Sequence, residues 1–556
     1  MAADSAYASL ALSAIPRLLG KLDREQYSIS HGSFDREHWS WKFRDFPIGP
    51  LQMGMYPLAL LWRQAFAGSS YRGNARLREW IIGAVEHTLN RQKPNGAFEA
   101  FAPNDFDPGP TLGICYALSK VVELLNEGMD ANLRVRVTSA VRRGAEFGLQ
   151  YEQSHGFASN HWGLFACAYL HAATLTSDTR YRVRAQEIVA RILRMQSEDG
   201  WYNEYGGADP GYESLGISYL AHYWAATRDS SVLKSLRRSI DFYAHCVHPD
   251  GSVGGVYGSR HTSLYFPAGF GLLADDVPAA AAIARFMRER LTRGNVVTPA
   301  TTDAHNLIPL VASYLEASDA ATERASTAAL PCERTAYVKH FAGSGIGAVA
   351  TTRYYAVINS RKGGVCRVFD REREVLSYED AGYIARAGER SWISQTLGSG
   401  EATDVGASTL TVETRFCEFR QLLPTPANYL VLRILALTLF RSASLGAWIR
   451  DRIVRRLIAA ARPGPLTLRR RIAFEPDAIT ISDELRLLRK ERFDALALMR
   501  AHTGIHMGSA KYYHPSDEQA PLDADWRGVA AELAATGRAQ FEIRIDIGAA
   551  KNVSSP

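Results

Sequence analysis

Three short windows hold most of the residue types in this chain that could do chemistry. The first, Ser159 to Leu164, contains Asn160 and His161; the second, Asp199 to Gly216, contains Trp201, Glu204, Tyr205, Asp209, Tyr212 and Glu213; the third, Val256 to Thr262, contains Tyr257, Arg260 and His261. Each polar group falls at or near the start of a helical stretch. Successive windows lie about one structural repeat apart, so they are placed to converge on one rim. Sugar rings stack well on aromatic faces, and a cleft lined by rings such as Trp201, Tyr205 and Tyr257 with a few polar groups suits a carbohydrate. Taken singly the residues say less: Asn160 is a good helix cap, Glu213 suits a helix N-terminus, and His161 fits an interior position. Glu204, Asp209 and Glu213 would permit glycoside hydrolysis if two of them faced each other across the cleft. Asp209, however, precedes Pro210-Gly211 and reads as a turn residue.

The elements that must position these windows follow from periodicity. Between about residues 50 and 325 apolar residues recur at three- and four-residue steps. This predicts helices over Thr111 to Leu125, Val137 to Gln150, His161 to Thr174, Tyr181 to Met195, Ser214 to Ala226, Val232 to Val247, Ala279 to Leu291 and Ala304 to Leu315. A turn ending in glycine recurs at Gly96, Gly200 and Gly251, 104 and 51 residues apart. Those spacings are two periods and one period of a helix-pair unit of roughly 50 residues, the building block of an α/α toroid or an open solenoid. Beyond about residue 330 the pattern alternates or is β-branched, as at Gly347 to Asn359, Gly364 to Phe369, Thr409 to Phe416, Leu466 to Phe474 and Ala478 to Ser482. The expected fold is therefore multidomain α+β: an N-terminal α/α toroid, an incomplete helical barrel, over residues 1–325, then an antiparallel β-sandwich over 330–556. The Ala-, Ser- and Thr-rich segment Ala317 to Ala329 is the natural boundary.

A helical insertion at about 428–462 interrupts the sandwich. Leu445, Trp448, Ile449, Ile453, Leu457 and Ile458 share one helical face, with Arg450, Asp451, Arg452, Arg455 and Arg456 largely on the other. A basic amphipathic helix with a Trp has the composition of a membrane-surface element. The alternatives are peripheral membrane contact through 429–461 or packing against the toroid with the arginines in water. Ten arginines and one acid lie between Asn428 and Arg471. The formal net charge of +6 thus resolves into +9 there and −3 over the rest of the chain.

The remaining composition excludes several classes. With 46% hydrophobic and 22% charged residues in 556, the chain has material for packed cores and not the composition of disorder. The six cysteines are scattered, with no CxxC pair and no Cys/His cluster at zinc spacing, so neither metal nor other cofactor is expected. P-loop and dinucleotide signatures are absent, and the toroid region gives no support for a nucleic-acid partner. No apolar stretch reaches the roughly 20 residues of a spanning helix. Residues Met1 to Leu19 lack a basic n-region, so the expected location is the cytoplasm or the inner face of the membrane.

Together, Asn160-His161 and the Tyr212-Glu213-Ser214 that follows, on a helical repeat ahead of a β-sandwich, resemble the heparinase II/III-like polysaccharide lyases. Relatives of that family include alginate and chondroitin lyases and dermatan sulfate epimerases. Ile358 to Phe369 and Tyr378 to Tyr383 resemble the opening strands of the family's sandwich. The resemblance implies proton abstraction from C5 of a uronate in an acidic polysaccharide, with Asn160 and His161 on the carboxylate and Tyr212 as base and acid. Arg260 is added to the carboxylate set here, because preorganised donors contribute most where charge develops. His261, Tyr257, Tyr205, Glu204 and Trp201 are candidate substrate-binding residues. β-Elimination is the expected reaction and C5-epimerisation the alternative. One departure stands out: where such lyases carry a further histidine on the early sandwich strands, this chain reads Arg361-Lys-Gly-Gly364. His261 and His340 are the substitutes for it, and Lys362 or Arg361 is the alternative source of positive charge.

Overall fold

The computed structural model describes residues 6–152, 158–293, 295–320, 328–406, 408–420, 425–458, 462–499, 525–548 and 553–554. Its helical part comprises α1 (Ala6–Lys21), α2 (Arg36–Trp39), α3 (Met55–Arg63), α4 (Ala75–Arg91), α5 (Pro108–Leu125), α6 (Ala131–Gln150), α7 (Ser159–Thr176), α8 (Thr179–Met195), α9 (Pro210–Thr227), α10 (Ser230–Tyr243), α11 (Ala268–Leu272), α12 (Pro278–Arg290) and α13 (Leu307–Ala320). Helices α3, α5, α7, α9, α11 and α13 pack side by side in that order, and α13 returns to α3, so they form the inner ring of an α/α toroid. Partners α4, α6, α8, α10, α12 and α1 lie outside.

The two rings differ because their sequences differ in patterning. Inner helix α7 buries 12 of its 18 residues, whereas outer helix α8 buries only Tyr181, Ala185, Ile188, Val189 and Ile192, a single stripe at helical spacing. The recurring turn has a steric cause. Gly96, Gly200 and Gly251 all have positive φ, and a Cβ at each would strike the neighbouring repeat at Arg143, Arg238 or Arg290. Gln92 and Gln196 make the same pair of bonds in two repeats, each amide donating to the turn glycine's carbonyl and to the next outer helix.

The second part is a β-sandwich of two antiparallel sheets among the described residues. Strands β1 (Tyr337–His340), β2 (Ile346–Ala350), β3 (Tyr354–Asn359), β4 (Val365–Asp370) and β5 (Val375–Asp380) form a meander. The larger sheet contains β6 (Tyr383–Ala387), β7 (Arg390–Ile393), β8 (Gly400–Val405), β9 (Thr409–Phe419), β10 (Pro463–Phe474), β11 (Ala478–Leu487), β12 (Ala495–Leu498), β13 (Arg538–Asp546) and β14 (Val553–Ser554). Between β9 and β10 the chain leaves as α14 (Pro426–Leu437) and α15 (Ala443–Ile458), and α16 (Trp526–Thr536) precedes β13. The segment 321–327, part of the sequence-predicted boundary, lies outside the described residues.

The meander is a middle layer, which explains why its strands read as nearly unbroken apolar runs. Tyr355 and Val357 join the toroid's core, while Tyr354, Ala356 and Ile358, on the opposite face, pack with Leu410, Ile472 and Ile481 of the larger sheet. That sheet has a charged centre. Arg470 is fully buried, with Nε and Nη2 on the Asp483 carboxylate at 2.9 and 2.7 Å and Nη1 2.7 Å from Asp380 Oδ2. Replacing Arg470 with Met leaves two buried carboxylates uncompensated, so a loss of about 3–5 kcal/mol is expected. Thermal unfolding of the full chain should show it, and the deficit should shrink as pH falls and the carboxylates protonate.

Candidate active site

The three sequence windows meet at one end of the toroid. Ser159 donates from both N and Oγ to the Asn203 carbonyl at 3.0 Å, and Ala158 bridges Glu204 in antiparallel fashion. Ser259 in turn donates from N to the Ala208 carbonyl at 2.8 Å and from Oγ to the Glu204 carbonyl at 2.9 Å. The loop after α8 is thereby laced to the start of α7 on one side and to the Arg260 loop on the other.

Within that frame Asp209 caps α9. Its carboxylate accepts from the Tyr212 and Arg260 backbone N–H groups, the latter at 3.1 Å, and from the Thr262 hydroxyl. Pro210 follows at the first helical position, where a missing N–H costs nothing. The result sets Tyr212 in the first turn of α9 against Arg260, whose guanidinium lies 4.4 Å from the Tyr212 ring centroid and 4.9 Å from that of Tyr205. Arg260 Nε is buried and meets no hydrogen-bond acceptor among the described residues. Tyr205 and His261 both have positive φ, 56° and 57°, a strained conformation for side chains of their size.

The Tyr212 hydroxyl donates to Asn306 Oδ1 at 3.2 Å, and Asn306 is held in turn by Asp303. Burial pushes the Tyr212 phenol above its ordinary value, and Arg260 only partly offsets this. Desolvation thus outweighs the nearby cation at Tyr212. Asn306 was not singled out from sequence. It precedes the last inner helix, outside the three windows, and its only signal is the Asp303 three residues earlier.

Asn160 lies in the first turn of α7 and is oriented by Glu204. The carboxylate accepts the Asn160 backbone N–H at 2.9 Å and its Nδ2 at 2.7 Å. Glu204 has no exposed surface, and burial raises its carboxyl to about 7 against the lowering by Asn160. With no surface to offer a substrate, Glu204 departs from the substrate-binding role expected of it and instead positions Asn160. Tyr257 is a second correction: it is fully buried, its hydroxyl shared with His248 Nε2 at 2.7 Å and the Cys246 carbonyl. His161 is half-buried beside Asn160, and Trp201, also half-buried, packs on the toroid core.

Glu213 is buried as well. Its Oε1 accepts from Tyr202 N and Ser239 Oγ, and desolvation keeps its carboxyl well above the usual range. Glu204, Asp209 and Glu213 are thus all turned into the protein, which removes the paired-carboxylate arrangement that hydrolysis through these three residues needs. Of the substitutes for the missing histidine, Lys362 is buried and donates to the carbonyls of Val256 and Gly258 at 2.7 and 2.6 Å. Desolvation lowers it to about 8. From the sandwich side, Lys362 fixes the loop that carries Arg260. His340 contacts Ser360 Oγ at 3.3 Å, and Arg361 reaches the Gly343 carbonyl. Among the described residues no cluster of three or more His, Cys, Asp or Glu is arranged to hold a metal.

No protein-family model and no curated protein sequence matches this chain. Solved structures do. A xanthan lyase from Paenibacillus is 13% identical with a TM-score of 0.52, over 88% of this chain and 46% of its own. The chondroitin AC lyase of Streptomyces coelicolor A3, solved with chondroitin sulphate, is 12% identical with a TM-score of 0.56, over 90% of this chain and 68% of its own. Heparinase III is 10% identical with a TM-score of 0.50, over 90% and 73%. This chain thus spans less than half the length of the xanthan lyase and about two thirds of the chondroitin AC lyase. At such identities the likeness is one of fold, and it runs through toroid and sandwich together.

The Glu204–Asn160 pair has a thermodynamic signature. The carboxyl holds its proton more tightly folded than unfolded, so its cost to stability is absent below about pH 4.5, grows up to about pH 7 and is constant above. Glu204→Gln should remove that slope, a relative gain approaching about 3 kcal/mol between the ends of the window. Unfolding measured at several pH values for both proteins checks it.

Proposed function

We propose that the chain is a polysaccharide lyase that cleaves a uronate-containing acidic polysaccharide by β-elimination. The observation that carries this reading is the buried, acceptor-free Nε of Arg260 beside the Tyr212 ring. A buried guanidinium N–H without an acceptor is costly unless a ligand supplies one, and a uronate carboxylate is an acceptor of the right charge and shape. The fold shared with lyases of xanthan and chondroitin supports the same class of reaction.

In this reading Arg260, Asn160 and His161 take the carboxylate, so that charge developing on it as C5 loses its proton meets fixed donors. The C5 proton passes to the Tyr212 oxygen, the freed pair forms the C4–C5 double bond, and the C4–O4 bond breaks. O4 then takes a proton, for which Tyr212 is the nearest named source. Because Tyr212 begins as a buried phenol, it must first lose its own proton, which Arg260 favours and burial opposes. Asn306 Oδ1 accepts from the hydroxyl only until that proton leaves.

Two measurements test this. Incubation with a panel of uronate polysaccharides should generate the ultraviolet absorbance of the unsaturated product, and Tyr212→Phe, which keeps the ring under Arg260, should lower the rate at least about 10²-fold. Absence of absorbance across the panel from folded protein would contradict the lyase reading, and exchange at C5 without cleavage would replace it with epimerisation. The pH dependence is the second. kcat/KM should rise into the alkaline range, and Arg260→Gln should move that rise to higher pH, since removing a cation raises the phenol further.

A further inference from the structure

The α14–α15 hairpin presents two unlike faces. Its inner face is fixed to the toroid: Arg450 pairs with Asp105 at 2.5 Å and Asp107 at 2.9 Å, Asn104 Nδ2 donates to the Ala436 carbonyl, and Ala436 and Phe440 pack with Ala102. Its outer face is apolar and open. Leu430, Val431, Ile434, Leu437, Leu439 and Trp448 are each between 42% and 61% exposed. These side chains cluster within one hairpin, where scattered single exposures would need no explanation. Phe43, 84% exposed, lies in the adjoining loop, whose Phe46 stacks on Tyr429 and whose Asp45 pairs with Arg433.

Charge identifies the occupant. Residues 428–462 contain seven arginines and one acid. Arg441 is exposed, and Arg452 is exposed and stacks on the Trp448 ring at 4.6 Å. A second copy of this chain would bring two such basic surfaces together, whereas an anionic lipid surface offers phosphates to the arginines and an acyl boundary to the aliphatic side chains and Trp448. Among the described residues no helix is long and apolar enough to cross a membrane, so the hairpin suits lying on a bilayer. We propose that the α14–α15 hairpin docks the protein on an anionic lipid surface. Arg450, by pairing with Asp105 and Asp107, fixes the hairpin to the loop that leads into α5 and leaves the opposite face free to dock.

Cosedimentation of the full chain with phosphatidylcholine vesicles, with and without phosphatidylglycerol, tests this directly. Pelleting is expected with the anionic vesicles only, and it should weaken in about 0.5 M salt. Arg441→Ser and Arg452→Ser should each lower partitioning about fivefold, and Leu430→Ser with Leu437→Ser should abolish it. Because all four side chains are exposed, thermal unfolding should be unchanged, and the arginine variants keep the test valid if the leucine pair unfolds. Failure of the wild-type protein to pellet with anionic vesicles would overturn the proposal. So would unchanged binding by all the variants, or a dimer in light scattering that the leucine variant dissociates while vesicle binding is absent.

Discussion

A single buried carboxylate, Asp209, sets the geometry of the candidate site. It caps the first turn of α9 through the Tyr212 N–H and at the same time accepts from Arg260 N and the Thr262 hydroxyl. A helix start and a loop some 50 residues further along the chain are thereby locked into one frame. The small residues nearby follow from this closeness: a Cβ on Gly211 would strike Thr262, and one on Gly258 would crowd Asp209 and Pro210. The sandwich reinforces the same loop, since Lys362 donates to the Val256 and Gly258 carbonyls and Asn359 to that of Tyr257. The two parts of the chain thus meet at the loop that carries Arg260.

Burial dominates the electrostatics of this frame. It raises Tyr212 and Glu204 against the opposing influence of Arg260 and of Asn160's hydrogen bonds, and it lowers Lys362. The burial that leaves Arg260 Nε without an acceptor among the described residues also makes a Tyr212 phenolate costly. A ligand that pairs with Arg260 therefore changes the balance at Tyr212, and the two residues are best regarded as one unit.

Periodicity made the helix pairs and the glycine turns legible, because Gly96, Gly200 and Gly251 answer to a steric requirement repeated in each unit. Depth was not legible. Trp201, Tyr205 and Tyr257 all follow such turns, yet Tyr257 is fully buried, with His248 and the Cys246 carbonyl as partners for its hydroxyl. Nor does sequence show which way a carboxylate points: Glu204 turns to Asn160, Glu213 to Ser239, and only the fold distinguishes a positioning group from a cleft group. Asn306 escaped notice because it comes from a helix start with no aromatic signature. The basic insertion was visible as an amphipathic pattern, but its division into a face pinned by Arg450 and a face left open requires the position of Asp105 and Asp107.

The proposed reaction rests on removal of the C5 proton of a uronate by Tyr212. Release of label into water from a uronate polysaccharide tritiated at C5 measures that step alone, whether elimination or epimerisation follows. The account predicts release by the wild-type protein and loss of release in Tyr212→Phe. Cleavage of the polymer with the label retained at C5, or undiminished release by Tyr212→Phe, would contradict it.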